Sequence, residues 1–141
     1  VFLAEMSMRK ELNRTLILDL NINYSYTSAI NISNDNPEYF EKQLIYIPVN
    51  MLKSSLTVNY KKTGLNVFYS FTDKRFTDSY NNNSLPGYEV IDGNIFFTIN
   101  LIGVKSTLRM DVNNIFNENY QTVSGYPMPL RNFKFSVNIE Y

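Results

Sequence analysis

The side chains best placed to do chemistry are charged ones set inside alternating segments: Lys53, Lys61, Arg109, Asp111, Lys134 and Glu140. Such groups can pair with one another, line an aqueous path or pass protons. Passing protons near neutrality needs a group that titrates there, and the chain has no histidine; it has no cysteine either, which removes thiolate nucleophiles, disulfides and sulfur-bound metals. No nucleophile–base spacing, phosphate-cradling glycine loop or metal-ligand spacing occurs, and five glycines leave no room for a hidden one. These charges are therefore expected to line a wet surface and brace it by cross-strand pairing. Neither enzymatic activity nor a cofactor is expected. Arg109 and Asp111 are two residues apart, so they share one face of a strand and both meet the final strand. The asparagine-rich stretch SYNNNSLPGY is a second candidate, because binding groups ride on loops held by a rigid scaffold; the plainer reading is a solvated connection.

The elements that position these groups show a period of two. In TLILDLNINYSYTSA the apolar set Leu16, Leu18, Leu20, Ile22, Tyr24 and Tyr26 alternates with Asp19, Asn21, Asn23, Ser25 and Thr27, and only Ile17 breaks the rule. MLKSSLTVNYKK, LNVFYSFT, EVIDGNIFFTINLI, STLRMDVNN and RNFKFSVNIEY repeat the pattern, with Phe68 as a second exception. Side chains of a strand point to opposite faces in turn, so each segment is a ribbon with one apolar and one polar side. VFLAEMSM reads as a weaker strand, giving about seven strands and no convincing helix. Aromatics make up 15% of the chain, nearly all Tyr and Phe, which suit a pleated surface. The net charge is zero, so nothing points to nucleic acid.

Connection lengths also alternate. RKELNR, KTG and GV are short, whereas NISNDNPEYFEKQ, DSYNNNSLPG and NENYQTVSGYPMPL are long. An up-and-down antiparallel sheet with short turns at one rim and long loops at the other is the layout of outer-membrane barrels. The eleven-residue run Leu16–Tyr26 matches the roughly 9–11 residues a tilted strand needs to cross hydrocarbon. Tyr24, Tyr26, Tyr46, Tyr88 and Phe133 gather near the long-loop rim and Tyr60 and Tyr141 near the other, as an interfacial aromatic belt would. A soluble barrel with the aromatics inside would need Lys and Glu on its outer face, where this chain has mostly Asn, Ser and Thr. Seven strands would form about a third of a wall of some 22 strands, or most of an eight-stranded barrel; the count leaves both open.

The C-terminal third resembles the end of TonB-dependent outer-membrane receptors. The likeness lies in Pro86, Gly87, Tyr88 and Asp92, in Asn113, Asn114, Ile115, Phe116 and Asn117 followed by Tyr120, and in Tyr126, Pro127, Met128, Pro129 and Arg131 before the final strand. Residues 16–77 share only strand rhythm and Pro48 before a strand, and Leu130 stands where the family usually has Gly. The resemblance implies that residues 1–141 are the C-terminal portion of a transmembrane barrel, 22-stranded when complete, in the bacterial outer membrane. The plug domain and signal peptide would then lie outside this chain. Such a receptor takes up a scarce nutrient such as cobalamin or a ferric siderophore. Its implied partners are outer-membrane lipid, the plug and upstream strands, TonB through those missing segments, and the assembly machinery. That machinery would read the terminal strand through Phe133, Phe135, Val137, Ile139 and Tyr141. Lys53, Arg109, Asp111, Lys134 and Glu140 would face the lumen. The alternatives are another outer-membrane barrel, such as an adhesin or small barrel, and a soluble ligand-binding barrel.

Overall fold

The computed structural model describes residues 1–33, 35–101 and 103–140. Its strands in chain order are β1 (Phe2–Asn13), β2 (Leu16–Tyr26), β3 (Asn50–Tyr60), β4 (Thr63–Thr72), β5 (Arg75–Phe76), β6 (Ser84–Leu85), β7 (Tyr88–Leu101), β8 (Val104–Asn113), β9 (Gln121–Val123), β10 (Tyr126–Pro127) and β11 (Asn132–Glu140). Seven of them form one antiparallel sheet in the order β1-β2-β3-β4-β7-β8-β11. The other four make two small hairpins inside the long loops, β5 with β6 and β9 with β10. No helix forms among the described residues.

Register converts the alternation of each strand into continuous rows across the sheet. Met8, Leu20, Leu56, Val67, Gly93, Val112 and Phe133 are successive partners through all seven strands. The adjacent apolar row is Leu18, Val58, Leu65, Ile95, Met110 and Phe135. Among the described residues nothing covers this face: Leu65, Ile95, Phe97 and Leu108 are each more than two-fifths exposed, and Phe135 is 74% exposed. Val90 is the one buried hydrophobic residue among those described. The accessible surface of 9915 Å² exceeds the about 7,500 Å² expected of a compact monomer of this size. The chain is a wall rather than a globule, and its apolar side is built for contact with something beyond the chain.

The short connections are tighter than the sequence suggested. β1 runs on through Arg9, Lys10 and Glu11, which RKELNR had assigned to the turn, and only Arg14 and Thr15 separate it from β2. Arg9 and Glu11 fall on the polar face, where Arg9 lies 3.8 Å from Asp19, whereas Lys10 falls on the apolar face opposite Leu18. A bulge between Glu11 and Asn13 sets the turn, where the Asn13 Oδ1 accepts the backbone N–H groups of Thr15 and Leu16. Lys61 sits in the β3–β4 turn at φ 53, not in the polar row, and its ammonium lies 5.2 Å from the Tyr60 ring centre. Tyr88 departs from the expected aromatic belt: it is on the polar side, its ring 4.3 Å from that of Tyr120.

Phe96 also falls on the polar face, a position the alternation alone does not explain. Its ring covers Gly64, its register partner on β4, where a Cβ would collide with the Phe96 ring and lie 2.9 Å from the Asn59 Oδ1. The glycine is a notch for the ring. Gly64→Val should therefore destabilise the wall by about 1–3 kcal/mol, measured by urea unfolding of the intact barrel in detergent. Phe96→Leu in the same chain should restore part of the loss; equal stability of Gly64→Val and the parent would refute the notch.

Candidate functional site

The polar face carries its own row through every strand: Arg9, Asp19, Thr57, Asn66, Asn94, Asp111 and Lys134 are successive register partners. Its centre is neutral and interlocked. The Thr57 hydroxyl donates to the Asn66 Oδ1 at 2.7 Å, and the Asn66 amide donates to the Asn94 Oδ1 at 2.8 Å. Asn94 is 6% exposed, so its hydrogen bond replaces water that cannot reach it. Charge gathers at the ends of the row. Arg9 lies between Asp19 and Glu11, and Arg109 donates to the Asp111 Oδ1 from Nε at 2.9 Å and from Nη2 at 2.6 Å.

The residues singled out in the sequence share this face but do not converge on one point. Arg109 bonds its own-strand neighbour rather than the final strand; Asp111 is the one opposite Lys134 on β11. Lys53 lies between Asn23 and Ser70, and Glu140 accepts from Lys105 at 2.8 Å. The Lys105–Glu140 pair is exposed, and such pairs stabilise by about 1 kcal/mol or less; Arg109–Asp111 is half-buried. No group of three metal-ligating side chains occurs among the described residues. What the wall offers is a lattice of amides and hydroxyls that can both donate and accept. It can guide a polar surface past it without trapping it. On the opposite face lie Phe133, Phe135, Val137 and Ile139 of the terminal strand, all exposed. Tyr141 lies outside the described residues.

The long loops are a second, more specific construction. Arg75, 4% exposed, donates from Nη2 to the carbonyls of Pro86 and Gln121, both at 3.1 Å, and from Nη1 to that of Thr122 at 3.3 Å. Its guanidinium lies 4.8 Å from the centre of the Tyr88 ring, while its buried Nε has no partner. One cation thus joins the loop before β7 to the loop before β11. A neighbouring clasp joins loop 27–49 to loop 73–87: Gln43 N–H donates to the Asn81 Oδ1 at 2.8 Å, and the Asn81 amide returns a bond to the Gln43 carbonyl at 2.9 Å. The Tyr39 and Tyr80 rings meet edge to face 4.8 Å apart. Asn81 holds φ 61, a left-handed conformation that asparagine tolerates.

The sequence motif around Asn113–Asn117 folds into the corner of the third loop. Asn114, at φ 53 and buried, donates its backbone N–H to Asp92 and its amide to the carbonyls of Glu118 and Pro129. The Asn117 Oδ1 accepts the backbone N–H of Arg131 at 3.0 Å. These asparagines replace backbone partners at a turn and are positioning residues for the loop. Burial pushes the neighbouring Tyr120 hydroxyl up from its ordinary pKa, with the Tyr88 and Asp92 groups adding to the rise. Sequence reading missed Arg75, because its partners are main-chain carbonyls that no side-chain pattern reports.

Asp78 organises the asparagine-rich loop, a solvated connection that it holds in one shape. Burial pushes its carboxyl up, but the backbone N–H groups of Asn83, Asn82 and Tyr80 donate to it and hold it below its ordinary value. A depressed carboxyl pKa contributes stability above the unfolded value and loses it as pH falls through the folded one. Amides of Tyr80, Asn82 and Asn83 should therefore be protected from hydrogen exchange at pH 6 and lose protection only as pH falls below the ordinary carboxylate range, after correction for intrinsic rates. Asp78→Ala should leave them unprotected throughout. Protection that ignores both changes would contradict the assignment.

The family described as "TonB dependent receptor-like, beta-barrel" has a model that matches residues 4–115. Among solved structures the chain is similar to the crystal structure of BauA, the ferric preacinetobactin receptor from Acinetobacter baumannii, at 16% identity with a TM-score of 0.71. That match covers 96% of this chain and 21% of the receptor, so the chain spans about a fifth of its length. At this identity the likeness is one of fold. No curated protein matches the chain in sequence.

Proposed function

Because the chain belongs to the TonB-dependent receptor β-barrel family, we propose that it forms part of the wall of an outer-membrane transporter for a scarce nutrient. One observation carries this reading. A seven-stranded sheet with apolar rows on one face, an amide and hydroxyl row on the other, two-residue turns at one rim and long loops at the other fits a lipid-embedded wall around a wet lumen. Members of the family are transporters rather than enzymes. In this reading the short turns face the periplasm and the loops face outward. Lys53, Arg109, Asp111, Lys134 and Glu140 line the lumen. A plug domain and upstream strands complete a barrel of about 22 strands, and TonB acts through the plug. Terminal strand β11, with Phe133, Phe135, Val137, Ile139 and Tyr141, offers its free edge and apolar row to the assembly machinery. Ferric siderophores head the substrates to assay, since the neighbour in fold is a ferric preacinetobactin receptor; cobalamin follows.

These 141 residues contain no cysteine, so each thiol placed in them is compared with the otherwise unchanged receptor as background. In the intact receptor, Asn82→Cys should react with a membrane-impermeant maleimide on whole cells, and Lys62→Cys only after the outer membrane is opened. Leu65→Cys should resist the reagent in both conditions. Uptake of an iron chelate by iron-starved cells should require the receptor and stop on addition of an uncoupler. Leu65→Cys labelled as freely as Asn82→Cys would sink the wall assignment, and uncoupler-resistant uptake would sink active transport.

A further inference from the structure

We propose that the short-turn rim holds a binding surface for anionic phospholipid headgroups, formed by Lys10, Arg14, Lys61 and Lys62. The inference rests on the wall and orientation just described. Lys10 is a cation on the apolar face: its register partner is Leu18, whose own partner is Val58. A lysine so placed lays its stem along apolar surface and carries its ammonium out to the rim. Arg14 lies in the β1–β2 turn, and Lys61 and Lys62 form the β3–β4 turn. The two turns are bonded directly, the Lys61 N–H donating to the Thr15 carbonyl at 2.9 Å. The Thr98 N–H donates to the Lys62 carbonyl at 2.8 Å and fixes the second turn to β7.

These four cations carry no compensating acid among the described residues. All four residues are exposed, and among the described residues none of them enters an ion pair. The acids nearest that rim, Glu11, Asp19 and Glu140, belong to the polar face and already meet Arg9 or Lys105. Tyr60, 49% exposed, is the partner of Leu16 in the last apolar row, with the Lys61 ammonium beside its ring. An aromatic ring at the depth of the headgroups, with unpaired cations just beyond it, is the arrangement that receives a lipid phosphate. β1 and β3 lie two strand spacings apart, about 10 Å, so the cluster spans one or two headgroups.

The test uses the intact barrel in nanodiscs of phosphatidylcholine alone or with phosphatidylglycerol, with retained lipid counted by native mass spectrometry. Parent protein should retain phosphatidylglycerol in preference to phosphatidylcholine, and Lys62→Gln should weaken the preference about two- to five-fold. The combined variant K10Q/R14Q/K61Q/K62Q should weaken it at least about ten-fold. Lys42→Gln with Lys74→Gln, at the opposite rim, should leave it unchanged. Insertion of every variant into neutral nanodiscs reports on the wall itself. Failure to insert would reject the wall, whereas insertion with a preference that survives the combined variant, or falls equally in the opposite-rim control, would overturn the headgroup site.

Discussion

Leu56→Arg should destabilise the intact barrel by about 2–4 kcal/mol in a bilayer, the cost of a cation near the midplane. Leu56 lies in the middle of β3, in the apolar row that runs from Met8 to Phe133, and its side chain is two-fifths exposed. An arginine there has no lumen to reach and no acid beside it. Ser55→Arg, one residue away on the opposite face, should cost little, because it lies on the polar face between Asn21 and Phe68 and gives up only a 3.5 Å contact from Asn21. Thr57→Arg serves less well as a control. Its hydroxyl anchors Asn66, so its replacement should cost about 1 kcal/mol through that lost bond. Unfolding in urea from vesicles gives all three values. Equal losses for Leu56→Arg and Ser55→Arg would refute the assignment of faces.

Arg75→Ala should have the second large effect, localised to the loops. It removes donors from the carbonyls of Pro86, Gln121 and Thr122, exposes the Tyr88 ring and leaves a void, for about 3 kcal/mol or more. Arg75→Lys should recover little, since a point cation cannot reproduce the planar fork that reaches three carbonyls. Hydrogen exchange should quicken at residues 84–85 and 121–123, while the amides of β3 and β4 stay protected. Uniform loss of protection across the sheet, or none at all, would show that the guanidinium does not tie these loops together.

The wall was legible and the rim was not, for a physical reason. A strand that meets different solvents on its two sides must alternate, so β2, β3, β4, β8 and β11 can be read directly from Leu16–Tyr26 and its repeats. Alternation is silent on pairs such as Phe96 and Gly64, yet it leaves a trace: an apolar residue out of phase, facing a glycine in a neighbouring strand. The resemblance rested on residues 85–141, whereas the matching family model covers 4–115, including strands where only rhythm could be read. Tyr88 was misplaced because a tyrosine near a strand end suits a lipid interface and a ring stack equally well by type alone. The loop network is built from side chains that bond main-chain carbonyls tens of residues away, as Arg75 does with Gln121.

That a single apolar side chain, Val90, lies buried among those described alters how this protein should tolerate mutation. In a globule, trimming a leucine leaves a rigid hole that its neighbours cannot refill. In the wall proposed above the surroundings of Leu65 or Ile95 are a fluid, and molten acyl chains flow into whatever space a shorter side chain vacates. Shape matters little on that side and polarity decides, so Leu, Ile, Val and Phe should interchange there almost freely. Jigsaw constraints survive where protein meets protein, as at the Gly64 notch and under the Arg75 guanidinium.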